Sequence, residues 1–337
     1  MRILGLLPLA LLIAPMACGP SSDANSAGRT PVADKWLART LASYKNGDFD
    51  DAQHAASAAL EVAPNDPAIR MANARIALVR LEFAQVLKLT EGVQTTEANG
   101  LRGRAHWYAG DIEAAADDLE AMLRDPEVKD PWAREIAKLA RRGNGRHPFA
   151  MEGGMVAAIE MPRAGPALVV PCELEGERIL AMVATASGEV ILDSNTRREA
   201  AWVNLKFGDN IEVKDVPALT QDLSALSRQL GAPVKALLGV NLLRHAHVTF
   251  DRHGDQFVVR KLDAPAPPDA SRVPLWYVRG GGMLMRANVS PREDGGATLL
   301  VDSSQPYLVA LQDSTFKKAG VDMTKLTTDP SVPNMKI

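Results

Sequence analysis

The sequence of 337 residues predicts a multidomain α + β protein, with a helical repeat module first and an all-β region after it. Residues 34–145 show a helical period of apolar residues, few β-branched runs and an internal repeat. From about residue 155 onward, short apolar runs separated by Gly, Glu and Pro are typical of strands joined by turns. The length is sufficient for two or three domains.

Composition and charge give no reason to propose a nucleic acid or an anionic membrane surface as a partner. The chain is 46% hydrophobic and 23% charged, with a formal net charge of −3. These values are ordinary for a globular protein and lack the basic excess that attracts polyanions.

Residues 1–17 predict a signal peptide. Within them, residues 3–14 form an uncharged apolar run that is too short to span a bilayer. The run leads to Ala17-Cys18, and a small residue directly before a cysteine resembles a bacterial lipoprotein signal. That resemblance implies a lipid anchor at Cys18, although Pro15 stands where the family has Leu. Ordinary signal cleavage near Ala17, with Cys18 incidental, is the alternative.

Residues 18–33 are rich in Gly, Pro, Ser and Ala, and they predict a flexible tether. Gly19 differs from the Asp that retains many lipoproteins at the inner membrane, so the family rule favours an outer-membrane destination. We therefore expect a protein that is secreted across the inner membrane and is periplasmic or anchored to the outer membrane.

The helical module repeats with a period of 34 residues, which separates Phe49 from Phe83. Gly47-Asp48 precedes the first of these aromatics, and Gly110-Asp111 marks the same turn in a third repeat. Leu81-Glu82 replaces Gly-Asp in the second repeat, which is therefore degraded. Small residues and closing prolines complete the pattern: Ala52, Ala56, Ala59, Pro64 and Pro126. The pattern resembles the tetratricopeptide repeat, and residues 132–142 predict a capping helix.

This resemblance leaves two roles open for the module. Tetratricopeptide repeats present a concave surface that binds peptides, so a peptide or protein ligand is one expectation. A spacer, or a brace for the following domain, is the other. Three stacked helix pairs and a cap bury apolar faces that a single pair would leave in water.

Residues 155–263 resemble the retropepsin-like aspartic protease family of bacteria. The matching segments, in chain order, are a strand pair at 168–174 and 178–183, a loop at 184–188, an apolar-apolar-Gly element at 236–243 and a closing hairpin at 248–262. The resemblance implies a β-barrel with Gly239 packed behind the loop. Another small barrel or sandwich is the alternative.

The loop at 184–188 departs from the chemistry of that family. Aspartic proteases use two Asp-Thr/Ser-Gly loops whose carboxylates share one proton, because two like charges in contact cannot both ionise. Here the first loop is Ala184-Thr185-Ala186, which keeps Thr and lacks the carboxylate. The loss removes one partner of the acid–base pair. Ala186 adds a Cβ where the family has Gly, which puts the backbone of the loop in question.

Residues 272–337 resemble part of a second aspartic-protease-like lobe. Asp302-Ser303-Ser304 occupies the second loop position, with Ser304 in place of Gly. Asp302 is either a surviving catalytic carboxylate or an ordinary turn aspartate. The later strands of a complete lobe are missing, so we expect either a vestigial lobe or a truncated reading frame. Homodimerisation would be one way to bring two copies of Asp302 together.

Other chemistry-bearing residues predict structural roles. Cys172 lies in an apolar strand and predicts a buried, inert thiol. His245 and His247 predict solvated residues on one face of a strand, because two ligands are too few for a metal site. Gly280–Gly282 lacks the Lys and Ser/Thr of a phosphate loop and predicts a hairpin tip or a flap-like loop. No cofactor and no metal are expected.

The sequence thus predicts an envelope-located binding or scaffold protein. Its protease-like domain, inactive because of Ala184, would hold a peptide or protein partner without cutting it. The alternative is an aspartic-type endopeptidase that uses Asp302.

Overall fold

The computed structural model describes residues 29–162, 167–288, 296–304, 322–325 and 327. The predicted signal peptide, Cys18 and most of the tether lie outside these ranges. Across the described ranges, no helix combines the length and the apolar character that crossing a membrane requires.

The repeat module consists of seven helices in the part of the chain that the structure describes. They are α1 (Pro31–Lys45), α2 (Phe49–Val62), α3 (Pro67–Val79), α4 (Phe83–Thr90), α5 (Thr96–Ala109), α6 (Ile112–Leu123) and α7 (Pro131–Arg141). The helices pack as consecutive pairs, and α7 covers the last pair as the predicted cap. Among the first helices of the pairs, α3 also contacts both α1 and α5. The prediction of a helical repeat module is confirmed.

Local sequence explains where most of these helices begin. Six of the seven have a Thr or Asp whose side chain accepts a hydrogen bond from the first turn: Thr30, Asp48, Asp66, Thr95, Asp111 and Asp130. Such caps contribute about 1 kcal/mol each. Thr30 and Pro31 start α1 three residues before the predicted end of the tether at residue 33, because Pro fits the first helical position.

The turns within the repeats need left-handed backbone. Gly47 and Gly110 have φ of 74° and 87°, which glycine adopts without a steric penalty. In the degraded second repeat, Leu81 takes the same turn with φ of 61°. The turn is therefore kept after its glycine is lost, at a cost in backbone strain.

The β region forms a closed barrel with an additional small sheet. Its strands are β1 (Ala150–Gly153), β2 (Val156–Glu160), β3 (Val169–Leu174), β4 (Glu177–Val183), β5 (Val190–Asp193), β6 (Ala201–Phe207), β7 (Ile211–Gln221), β8 (Val234–Leu238), β9 (His247–Asp251) and β10 (Gln256–Arg260). The large sheet has the order β1-β7-β5-β8-β4-β3-β6, and β6 also pairs with β7. Six strands thus close a ring and β1 extends it. The small sheet β2-β10-β9 packs on the same core through Phe257 and Val259.

Two short helices lie among these strands, namely α8 (Ser224–Leu230) and α9 (Val240–Leu243). Residues 261–275 then link the barrel to a second β unit without helix or strand. The described part of this unit is a three-stranded antiparallel sheet of β11 (Trp276–Tyr277), β12 (Met283–Ala287) and β13 (Ala297–Leu300). The predicted order of helical repeats, barrel and partial β lobe is confirmed.

Candidate functional site

Two loops from the two β units meet through reciprocal hydrogen bonds. The first loop, 184–188, follows β4, and the second, 301–304, follows β13. Thr185 Oγ1 donates to the Val301 carbonyl at 2.6 Å and accepts from the Ser303 backbone N–H at 3.0 Å. Ser303 Oγ donates to the Val183 carbonyl at 2.7 Å and accepts from the Thr185 N–H at 3.2 Å. We call this set of four hydrogen bonds the loop pair.

The loop pair has approximate twofold symmetry in its chemistry. Thr185 and Ser303 play the same part, since each hydroxyl bridges a carbonyl and an N–H of the opposite loop. The structure thus brings together the loops of the two predicted site residues, Ala184 and Asp302, within one chain. These hydrogen bonds lie within one chain, because Ser303 is paired with Thr185 of its own chain. They therefore do not form the suggested homodimer of Asp302 loops.

The two sides of the loop pair differ in what they present. Ala184 is a methyl group, 5% exposed, where the aspartic protease pattern has a carboxylate. On the other side, Asp302 Oδ1 accepts hydrogen bonds from the backbone N–H of Ser304 at 3.0 Å and from its hydroxyl at 2.6 Å. These positions therefore offer one carboxylate opposite one methyl. Sharing a proton between two carboxylates needs both groups, so the pair at 184 and 302 cannot do it.

The predicted apolar-apolar-Gly element lies directly behind the first loop. The N–H of Ala184 donates to the Leu238 carbonyl at 3.0 Å, and the N–H groups of Val240 and Asn241 bond to the loop at 2.9 Å each. A Cβ on Gly239 would overlap the carbonyl of Glu189, so only glycine fits there. Ala186 has no positive φ, and its Cβ therefore adds no left-handed strain to the loop.

The glycine segment 280–282 lies at the tip of the hairpin between β11 and β12, as predicted, and this tip packs against the first loop. A Cβ on Gly188 would come within 2.9 Å of the Gly281 Cα, and both Gly281 and Gly282 are buried. The N–H of Met283, which follows, donates to the Thr185 carbonyl at 2.9 Å. The predicted hairpin tip is confirmed, but it is not a free flap, because its glycines allow close backbone packing beside the loop pair.

A buried carboxylate next to the first loop was missed by sequence reasoning. Glu189 is 5% exposed and lies between the barrel and the helical module. Its carboxylate accepts from Trp132 Nε1 of α7 at 3.0 Å and from Asn241 Nδ2 of α9 at 3.2 Å. The side chains of Trp107 and Tyr108 on α5 are also close enough to interact with it. The signal available in the sequence was one acidic residue at the start of an apolar run, Val190-Ile191-Leu192.

Burial dominates the electrostatics around Glu189. Loss of hydration raises the pKa of the Glu189 carboxyl, although the donors and the nearby charge of Arg244 act in the opposite direction. Arg244 donates to the Tyr108 carbonyl, and its guanidinium lies 5.5 Å from the centre of the Tyr108 ring. We call these residues, with Trp107, Trp132 and Asn241, the Glu189 cluster. It joins α5 and α7 to the barrel.

The remaining candidate residues, Cys172, His245 and His247, have structural roles. Cys172 is buried, and burial raises the pKa of its thiol to about 12, so little thiolate forms near neutral pH. His245 lies in the turn after α9, stacked on Phe149 with 4.4 Å between ring centroids, while His247 begins β9. The two histidines therefore do not share one strand. Within the described ranges, no group of three or more His, Cys, Asp or Glu is arranged to hold a metal ion.

Comparison with known proteins finds partial likenesses. No family model matches the chain, and no curated protein matches it. Among solved structures, the chain is similar to the first TPR domain of Spaghetti (RPAP3), bound to the HSP90 peptide SRMEEVD, with 18% identity over 34% of this chain and 94% of that one and a TM-score of 0.31. It is also similar to the Arabidopsis OM64 TPR domain, with 20% identity over 33% of this chain and 92% of that one and a TM-score of 0.28.

A third likeness is to a retropepsin-like aspartic protease from Rickettsia conorii. It has 19% identity over 34% of this chain and 95% of that chain, with a TM-score of 0.23. The chain is thus similar, over about a third of its length in each case, to TPR domains and to a retropepsin-like aspartic protease.

Proposed function

We propose that this protein binds a peptide or protein partner without cleaving it. The observation that carries the proposal is the loop pair, which keeps its four hydrogen bonds while Ala184 stands opposite Asp302. The hydroxyls that support the two loops are present, and one of the two reacting groups is not. Such a site keeps the framework of the two loops and lacks the acid–base pair that would hydrolyse a bound peptide.

An aspartic-type endopeptidase that uses Asp302 is the competing function. It requires a second group that exchanges a proton with Asp302 across the substrate, and the methyl of Ala184 cannot serve.

Peptide hydrolysis separates the two functions. The full chain is incubated at acidic pH with an unstructured protein substrate, alongside Asp302→Asn. We expect no cleavage above background and no difference between the two proteins. Cleavage that a statine-type inhibitor blocks and that Asp302→Asn abolishes would establish the endopeptidase instead. Ala184→Asp is a matched variant, and a gain of inhibitor-sensitive cleavage there alone would identify the missing carboxylate as the cause.

Binding is tested with the same full chain and a library of unstructured peptides. The retained peptides are eluted and their masses are measured by mass spectrometry, and we expect them to be intact. Thr185→Val removes the hydroxyl that bridges the two loops, so retention should fall for any peptide held there. Equal retention by both proteins would place the binding surface elsewhere.

We also propose that the protein is a lipoprotein of the cell envelope, anchored through Cys18. The support is the apolar run at residues 3–14 followed by Ala17-Cys18. Metabolic labelling with a radioactive fatty acid tests this: the wild-type chain should incorporate label and sediment with membranes. Cys18→Ser should lose both properties, and an unlabelled wild-type chain would contradict the anchor.

A further inference from the structure

A segment of the same chain covers part of the surface formed by the first helices of the repeats, α1, α3 and α5. We call this surface the first-helix face, and it corresponds to the concave face predicted to bind peptides. Strand β11 contacts α3, and the turn Val278–Gly280 after it contacts both α3 and α5. We call residues 276–280 the covering segment.

Trp276 anchors the covering segment in an aromatic pocket. Its indole, 7% exposed, packs with Phe49 at the start of α2 and Val79 at the end of α3. The Phe49 and Trp276 rings lie 5.8 Å apart, and Tyr44 completes the pocket with an edge-on contact to Phe49 at 5.7 Å. Large aromatic side chains in buried pockets are the usual energetic centres of protein–peptide contacts.

Polar contacts hold the rest of the second β unit at the turn between α1 and α2. Thr298 Oγ1 donates to the Gly47 carbonyl at 2.7 Å, and Arg286 forms an ion pair with Asp48. The repeat turn that the sequence pattern identified therefore serves as a docking point for this unit.

The covering segment also leads directly into the loop pair. Met283, three residues after Gly280, donates its N–H to the Thr185 carbonyl at 2.9 Å and accepts from the Val301 N–H at 2.9 Å. Any movement of the covering segment away from the helices therefore pulls on the backbone that supports both loops.

We propose that the covering segment is an internal ligand of the first-helix face, and that an external partner binds this face by displacing it. The covering segment indicates the chemistry of the partner. The partner is an extended peptide with an aromatic side chain that fills the pocket of Trp276. Displacement loosens the loop pair, because Met283 joins the two. This inference rests on the proposed peptide binding, and it adds to the loop pair a second surface, the first-helix face, and a means of control.

The test uses the full chain and a fluorescent peptide with the sequence of residues 273–287. Trp276→Ala empties the aromatic pocket, so we expect this variant to bind the peptide at least tenfold more tightly than the wild type. Trp36→Ala is the matched control, since Trp36 packs edge-on against His54 between α1 and α2 and is absent from the pocket. A probe peptide whose own Trp is replaced by Ala should not bind.

Hydrogen exchange supplies the second measurement. Trp276→Ala should increase amide exchange at Met283 and Val301, whereas Trp36→Ala should leave both unchanged. Arg286→Ala is the milder variant if Trp276→Ala does not fold, and it should shift exchange in the same direction. Equal peptide binding by the wild type and Trp276→Ala, or unchanged exchange at Met283, would overturn the proposal. Cleavage in the hydrolysis assay would defeat the proposed function without altering either readout.

Discussion

The helical module meets the two β units through interfaces of different chemistry. Against the barrel, the Glu189 cluster buries a carboxylate that accepts hydrogen bonds from an indole and an amide. Against the second β unit, Trp276 fills an aromatic pocket, flanked by an ion pair whose side chains are 26% and 33% exposed. A buried charge loses its partners if the first interface opens, whereas water replaces the polar contacts of the second. We therefore expect the barrel interface to stay closed and the interface with the second β unit to open and close.

Glu189→Ala should give the largest effect, because it breaks the permanent interface. The variant strands the indole N–H of Trp132 and the amide of Asn241 in a buried site and leaves a cavity. We expect a loss of about 4 kcal/mol in the free energy of unfolding, from unsatisfied donors and lost packing together. Chemical denaturation of the wild type and the variant measures it. A loss below about 1 kcal/mol would show that water reaches the cluster.

Trp276→Ala should cost about 3 kcal/mol, at the lower end for a buried Trp, because the pocket opens to solvent when the second β unit leaves. The loss should appear as earlier unfolding of the second β unit, ahead of the barrel. Denaturation followed by hydrogen exchange separates the two events. A single transition that shifts as a whole would show that the second interface is as permanent as the first.

Glu189→Gln tests how the stability of the interface between the helical module and the barrel depends on pH. Burial raises the pKa of Glu189, so its contribution to stability is full below the unfolded pKa of about 4.3 and is lost as the pH rises through the folded value. Relative to Glu189→Gln, the wild type should therefore gain stability as the pH falls from neutral towards about 5. Arg244 and Tyr108 are the charged or titratable groups that interact with this carboxylate, Arg104 interacts with Tyr108, and both proteins keep all three.

At neutral pH the same substitution should be neutral or stabilising. Gln retains an acceptor oxygen for Trp132, and its NH₂ can donate to Asn241 Oδ1, which has no hydrogen-bond partner among the described residues. Denaturation curves at several pH values check both expectations. A difference between the two proteins that does not change with pH would contradict the raised pKa.

Arg286→Ala should give the smallest effect, about 0.5 kcal/mol, because its ion pair with Asp48 is partly exposed. Salt should reduce the difference between the wild type and this variant, since exposed charges are screened. Unfolding at low and high ionic strength measures it. A difference that persists unchanged in high salt would mean that Arg286 acts through packing of its stem rather than through its charge.

Local elements could be predicted from the sequence because their causes are local. Gly47 and Gly110 mark turns that need positive φ, and Asp48 and Asp111 cap the helices that follow. Gly239 was predictable because it directly follows an apolar strand in the sequence, and it lies behind the first loop. The lost carboxylate at Ala184 was equally visible, because a catalytic pattern is defined by residue type and spacing.

The residues that join the units could not be found in this way. Glu189 looked like a polar residue at the start of a strand, and nothing within its neighbours along the chain predicts the indoles of Trp107 and Trp132. Trp276 looked like one residue of a strand, and Gly280–Gly282 looked like a hairpin tip with no indication of what it packs against. Each is defined by a contact with a residue far away in the chain.

The sequence by itself determined the helical repeats, the strand pattern of the barrel and the absence of a carboxylate at Ala184, since these depend on neighbours within a few positions. Only the tertiary structure decided that Thr185 pairs with Ser303, 118 residues away, and that Trp276 packs against Phe49 and Val79 of the helical module. The physical reason is that hydrogen bonds and apolar contacts act over a few ångströms in space, whatever the separation along the chain. Such pairings leave no periodic trace in the sequence.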